Sequence, residues 1–135
     1  MQTSHEGTIL LVDDETAVRG LVARMLRTDG YDVLEATCGQ AAIAAAATQS
    51  TPISLIVSDV NMPDMNGREV VRAIRERFPA MRALLISGGV TKAEATTGLD
   101  DAPTAFLAKP FSLADLVIAV RTVLRAGVAD RGAAA

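Results

Sequence analysis

The chain has 135 residues, half of them hydrophobic, a formal net charge of −3 and a single cysteine. That length holds one domain with a sizeable core, and one cysteine excludes an internal disulfide and fits a reducing, cytoplasmic setting. The negative balance and the scarcity of aromatics (three Phe and one Tyr) argue against a nucleic-acid surface, and no stretch is long and apolar enough to span a bilayer.

Residues 1–7 are polar and lack the charged-then-apolar order of a signal peptide. They are expected to form a flexible tail ahead of a domain over 8–127. His5 lies in that tail with no partner pattern, so no role is assigned to it. The first strand runs over about 8–13 and stops at Asp13-Asp14. Val18, Leu21, Val22, Met25 and Leu26 follow at the spacing of one helix face. A second strand falls at about 31–36. Cys38 reads as a small helix-entry residue before an Ala-rich helix over 39–49. The third strand, 53–58, closes on Asp59 and opens into the loop Val60-Asn61-Met62-Pro63-Asp64-Met65-Asn66-Gly67.

Gly67 eases the turn into a helix over 67–78, stopped before Pro79. Its Arg68, Arg72, Arg75 and Arg77 read as a solvated face. A strand at 83–86 ends at Ser87, and a weak helix follows over 91–99. Thr96, Thr97 and Gly98 are poor helix formers, so that helix is expected to be short or mobile. A strand at 104–108 ends at Lys109. Leu113, Leu116, Val117, Val120 and Leu124 mark a last helix, capped by Ser112 and ended by Gly127, with 128–135 as a tail.

Strands alternating with helices imply a parallel sheet covered on both faces. Right-handed crossovers leave few topologies. The common flavodoxin-like order, a doubly wound (βα)5 sheet ordered 2-1-3-4-5, is the expected α/β fold. It places strands 1 and 3 side by side where the order reverses, the usual ligand crevice. Asp13, Asp14 and Asp59 would converge there. Three carboxylates repel one another unless a cation fills the space. Oxygen donors at an open crevice suit a hard cation, Mg²⁺ above all. Lys109 adds a positive charge and Ser87 a hydroxyl. A carboxylate nucleophile, a metal, a lysine and a hydroxyl are the parts for moving a phosphoryl group onto an aspartate.

The segments LLVDDE, IVSDVNMPDMNG, LLISGG and FLAKPF resemble the receiver domain of two-component response regulators, over about 8–125. The resemblance implies that Asp59 is the phosphoacceptor and that Asp14 binds Mg²⁺, with Asp13 holding a metal-bound water or sharing the metal. It implies that Asn61 offers its backbone carbonyl and that Ser87 and Lys109 contact the phosphoryl group. It implies a cis Lys109-Pro110 peptide aiming Lys109 into the site. Phe106 would be the aromatic switch on the face of helix 4, strand 5 and helix 5. The donor would be a histidine kinase or histidine phosphotransfer protein, with small-molecule phosphodonors as substitutes and a downstream protein as target; neither nucleic acid nor membrane is a partner. Any enzymatic activity would be self-phosphorylation and autodephosphorylation. The resemblance fits both a stand-alone regulator and the receiver of a hybrid sensor kinase. Ser87 stands where Thr is commoner, Phe106 where Tyr is frequent, and Gly89 puts no side chain over the phosphoryl group.

Each residue also has a plainer reading. Asp59 alone would be a turn residue, and Asp13-Asp14 an N-cap pair for the first helix. Lys109 would be a surface lysine, Ser87 a loop serine and Phe106 a core aromatic. Four such stops at four strand ends argue for a site. Two other functions use related parts. A flavin-binding flavodoxin-like protein needs a phosphate cradle after the first strand, where Asp13-Asp14-Glu15 stands. A Mg²⁺-dependent aspartyl-phosphate phosphatase puts an Asp-x-Asp pair after its first strand, whereas Asp59 follows the third and its second neighbour is Asn61.

Overall fold

The computed structural model describes residues 7–49 and 52–134, with side chains as far as 126. The elements are β1 (Thr8–Val12), α1 (Thr16–Thr28), β2 (Asp32–Ala36), α2 (Gly39–Thr48), β3 (Ile53–Asp59), α3 (Gly67–Arg77), β4 (Arg82–Ser87), α4 (Lys92–Thr96), β5 (Thr104–Ala108) and α5 (Leu113–Ala134). The five strands are parallel, in the order β2-β1-β3-β4-β5. The expected flavodoxin-like arrangement is therefore the one observed.

Alternation along the strands builds two cores, because successive side chains point to opposite faces. Ile9 and Leu11 of β1, with Leu55 and Val57 of β3, pack against Val22 and Leu26 of α1 and Leu116 and Val120 of α5. Leu10, Val12 and Ile56 face the other way, against Ala42 and Ala46 of α2 and Val70 and Ile74 of α3. Small residues let α2 lie close to the sheet. A third cluster, with Ala83, Leu85, Val71, Ala95 and Leu99, seats α4, and Phe106 packs against it half-buried.

Helix ends follow local chemistry. Asn66 and Glu69 form a reciprocal capping box on α3, and Thr91 and Glu94 form another on α4. Ser112 Oγ accepts from Asp115 N–H and Asp115 Oδ2 from Ser112 N–H, so Ser112 caps α5 as expected. Helix α4 is only five residues long. The hydroxyls of Thr96 and Thr97 donate back to the carbonyls of Lys92 and Ala93, the side-chain competition that weakens helices. The sequence reading ends the last helix at Gly127; the backbone instead continues helical to Ala134, since one Gly costs a helix only about 1 kcal/mol. His5 and the first six residues lie outside the described residues.

One expectation is overturned inside α3. Arg75 is not on a solvated face: it is 5% exposed. Its Nε donates to Met81 O at 2.8 Å and its Nη1 to Leu99 O at 2.8 Å. Its Nη2 donates to Thr104 Oγ1 at 2.8 Å and Pro103 O at 3.2 Å. Burial opposes the guanidinium charge, and the Asp101 carboxylate at 3.3 Å offsets part of that cost. Five donors in a fixed fork let one arginine bind acceptors on several segments at once, beside Thr104 Oγ1 and Ala83 N–H, which also donate to Leu99 O and Pro103 O. Arg75 falls one turn after the buried Val71, on the covered side of α3. Arg75→Ala would remove the charge-assisted bonds to Met81 O, Leu99 O and Pro103 O and leave a cavity, so its stability should fall by about 3 kcal/mol. Denaturant unfolding measures this, and a loss under about 1 kcal/mol would refute the clamp.

Candidate functional site

The site is built by strand register. Val12 lies opposite Ser58, Asp59 opposite Ile86, and Ser87 opposite Ala108. Strands β1, β3, β4 and β5 therefore end at one level, and the residues at their ends open into one crevice. Asp13, Asp14 and Asp59 each offer a carboxylate oxygen, and these oxygens lie within 4.8 Å of one another. Asp13 and Asp59 are buried, at 6% and 7% exposed, while Asp14 faces solvent.

Lys109 reaches this cluster across the sheet. Its Nζ lies 3.3 Å from Asp59 Oδ2 and 3.9 Å from Glu15 Oε1. The Lys109-Pro110 peptide is cis. Four carboxylates, counting Glu15, thus face one ammonium, leaving three formal negative charges uncompensated. Burial pushes the Asp13 carboxyl above the usual range; the Glu15 N–H, which donates to Asp13 Oδ1 at 2.9 Å, pulls it back. The nearby Asp59 charge adds to the rise and Lys109 lessens it.

The polar stop on β4 belongs to the same crevice. Ser87 is 1% exposed. Its Oγ accepts from Asn61 Nδ2 at 3.3 Å and from Gly89 N–H at 3.0 Å. Both bonds are ones that Ser87 accepts, so its own proton is available to a ligand. Asn61 N–H also donates to Asp59 Oδ1 at 3.3 Å. The loop after β3 closes because Gly67 has no side chain: a Cβ there would meet Asp59 O at 2.5 Å, and Gly67 N–H donates to Val60 O at 2.8 Å.

The structure brings together Asp13, Asp14, Asp59, Asn61, Ser87 and Lys109. Phe106 stands apart from the acidic cluster, beside Leu85 in register on the edge strand. Asp13 and Asp14 do not cap α1 through a side chain; Glu15 takes the N-cap position, with no side-chain bond to the helix. Three neighbours escape a strand-end reading. Glu15 approaches Lys109, Arg19 Nη1 donates to the Asp13 carbonyl at 2.9 Å, and the Asn61 side chain reaches Ser87. Glu15 was legible as the third acid of Asp-Asp-Glu. Arg19 falls on the α1 face next to the acidic turn, but nothing local marks its target.

The response regulator receiver domain model matches residues 9–121. The sensor kinase CckA of Brucella abortus is 38% identical over 121 residues, which cover 90% of this chain and 13% of that kinase. The crystal structure of the receiver domain from hybrid histidine kinase CckA aligns with a TM-score of 0.73 at 36% identity, covering 87% of this chain and 99% of that one. The Vibrio cholerae chemotaxis protein CheY4 aligns with a TM-score of 0.79 at 30% identity, covering 88% and 99%. The chain spans half or less of the length of curated relatives such as CckA and the probable transcriptional regulatory protein TcrX of Mycobacterium tuberculosis. The flavin and phosphatase readings find no support among these matches. With its five-stranded order, its acidic crevice and a family match over most of its length, this chain belongs to the response regulator receiver domain family.

Proposed function

We propose that this chain accepts a phosphoryl group on Asp59, from a phosphohistidine on a histidine kinase or histidine phosphotransfer protein. One observation carries the reading. Among the described residues, Asp59 belongs both to the acidic cluster and to an ion pair with Lys109. A carboxylate oxygen of Asp59 attacks phosphorus, the P–N bond to the donor imidazole breaks, and the imidazole nitrogen keeps the electron pair and takes a proton from solvent. Lys109 turns from Asp59 to a phosphoryl oxygen, and the Ser87 hydroxyl donates to another. Attack by water later releases phosphate and restores the carboxylate. Positioning and charge neutralisation dominate such transfers, and no acid–base residue is required.

The donor set fits Mg²⁺: all oxygen, convergent, and open to water on the Asp14 side. Asp13, Asp14, Asp59 and the Asn61 carbonyl would hold the ion, which supplies charge neutralisation to acceptor and phosphoryl oxygens alike. A divalent cation would cut three uncompensated charges to one.

The acceptor role is tested by labelling. Wild type incubated with a phosphorylated kinase should take up label, and Asp59→Asn should not; labelling of Asp59→Asn at the wild-type rate would remove the reading. Lys109→Ala should fold, because Lys109 is not core, yet lose the response of partner binding to phosphorylation. Unchanged phospho-dependent binding would count against Lys109.

Metal binding should stabilise by mass action. With a dissociation constant of about 1 mM, 10 mM Mg²⁺ would add roughly 1.4 kcal/mol, a melting-point rise of about 3–6 °C. Asp13→Asn removes a crowded charge, so it should melt higher than wild type without metal and respond less to Mg²⁺. Melts at constant ionic strength decide this. A wild type indifferent to Mg²⁺, or an Asp13→Asn less stable than wild type in its absence, contradicts the metal site.

Phosphorylation should also reach the face around Phe106. Movement of Ser87 toward the phosphoryl group would open space beside β4 that the ring can enter, and packed interiors settle in discrete arrangements. Backbone amide spectra with and without beryllofluoride test it. Shifts confined to the Asp59 loop, sparing 87–110, would exclude a switch there.

A further inference from the structure

Helix α2 begins with a weak cap. Cys38 Sγ accepts from Ala41 N–H at 3.5 Å, where Ser, Thr, Asp or Asn would serve better. The two N–H groups before it, of Gly39 and Gln40, have no partner within the helix. Both donate to one carboxylate from a distant part of the chain. Gly39 N–H meets Asp64 Oδ1 at 3.1 Å, and Gln40 N–H meets Asp64 Oδ2 at 3.0 Å. These bonds, that to Gln40 first, hold the Asp64 carboxyl below its usual range. A negative group also suits the positive end of a helix.

The junction has an apolar half. Met65 covers Gly39 so closely that a Cβ there would meet Met65 Cγ at 2.3 Å and Val70 Cγ2 at 2.9 Å. Asp64 and Met65 belong to the loop between β3 and α3. That loop is tied at its start by Asn61, to Asp59 and Ser87, and at its end by the capping box of Asn66. Its middle is held by α2, through Asp64 and Met65. Asp64 is exposed and lies outside the acidic cluster. Its influence on the crevice must therefore run through the backbone it fixes.

We propose that Asp64 is a positioning residue for the acceptor loop: by capping α2 from outside, it holds the Asn61 segment in the place the cation and the phosphoryl group require. The inference rests on the reading of Asp59 as acceptor and of the carboxylates as a Mg²⁺ site. It makes the docking of α2, which contributes no group to the crevice, a condition for metal binding.

Wild type, Asp64→Asn and Asp64→Ala decide it, each titrated with Mg²⁺ by melting point and amide spectrum and labelled at Asp59 with acetyl phosphate. Asp64→Ala should raise the apparent Mg²⁺ dissociation constant about ten-fold, the low end for loss of an outer support of a metal site. It should also slow labelling, and shift the Asn61 amide before metal is added. Asp64→Asn keeps one acceptor oxygen but turns an NH2 group toward the other N–H, so its Mg²⁺ constant should fall between those of wild type and Asp64→Ala. A lower melting point with an unchanged Mg²⁺ constant would mean a merely structural cap and overturn the inference. If Asp64→Ala is too unstable, adding Cys38→Ser gives α2 a cap of its own: the melting point should recover and the Mg²⁺ response should not, and recovery of both refutes positioning. A wild type that neither binds Mg²⁺ nor takes label contradicts the acceptor reading instead.

Discussion

Like charge forced together is the constraint on which this structure turns. Asp13, Asp14 and Asp59 would separate in a free chain, yet the register of β1 against β3 sets them side by side. Only a rigid support can hold such a cluster. It is provided by three central strands whose inward side chains are almost all buried, on two faces at once. Burial raises the proton affinity of Asp13, and the neighbouring Asp59 charge adds to the rise. On the proposed reading that crowding is the source of function, because whatever relieves the repulsion is bound with the energy the fold has stored.

The surroundings of the cluster divide into groups that hold it and groups that report on it. Arg19 grips the Asp13 carbonyl, Gly67 lets the acceptor loop close, and Asp64 ties the middle of that loop to α2. Ser87 ends β4 and Lys109 follows β5, the strand pair that carries Phe106. At the opposite end of that region, Arg75 fastens Leu99 and the segment leading to Thr104 onto α3. The short helix α4 is thus anchored at its far end and adjoins the crevice at its near end.

Much of this was legible in the residues. The strands announced themselves as β-branched runs, and each polar stop fell where register later placed it. Asp59, Lys109 and Ser87 could be read because the chemistry sits directly at strand ends, where sequence position and spatial position coincide. The short α4 was readable from Thr96, Thr97 and Gly98. What escaped depends on long-range partners. Arg75 looks like any helical arginine until Met81 and the segment from Leu99 to Thr104 supply its acceptors, and Asp64 looks like a turn residue until α2 presents two free N–H groups. Gly127 looked like a stop, but a single glycine opposes a helix too weakly to end it alone.

The most direct test of the central claim locates the phosphoryl group. Wild-type protein is incubated with acetyl phosphate, with and without Mg²⁺, then reduced with borohydride, which converts an aspartyl phosphate to homoserine. Peptide mapping by mass spectrometry then reads the converted position. The account predicts homoserine at position 59, dependent on both donor and Mg²⁺. Conversion at another aspartate, or at position 59 to the same extent after chelation of the metal, would contradict it.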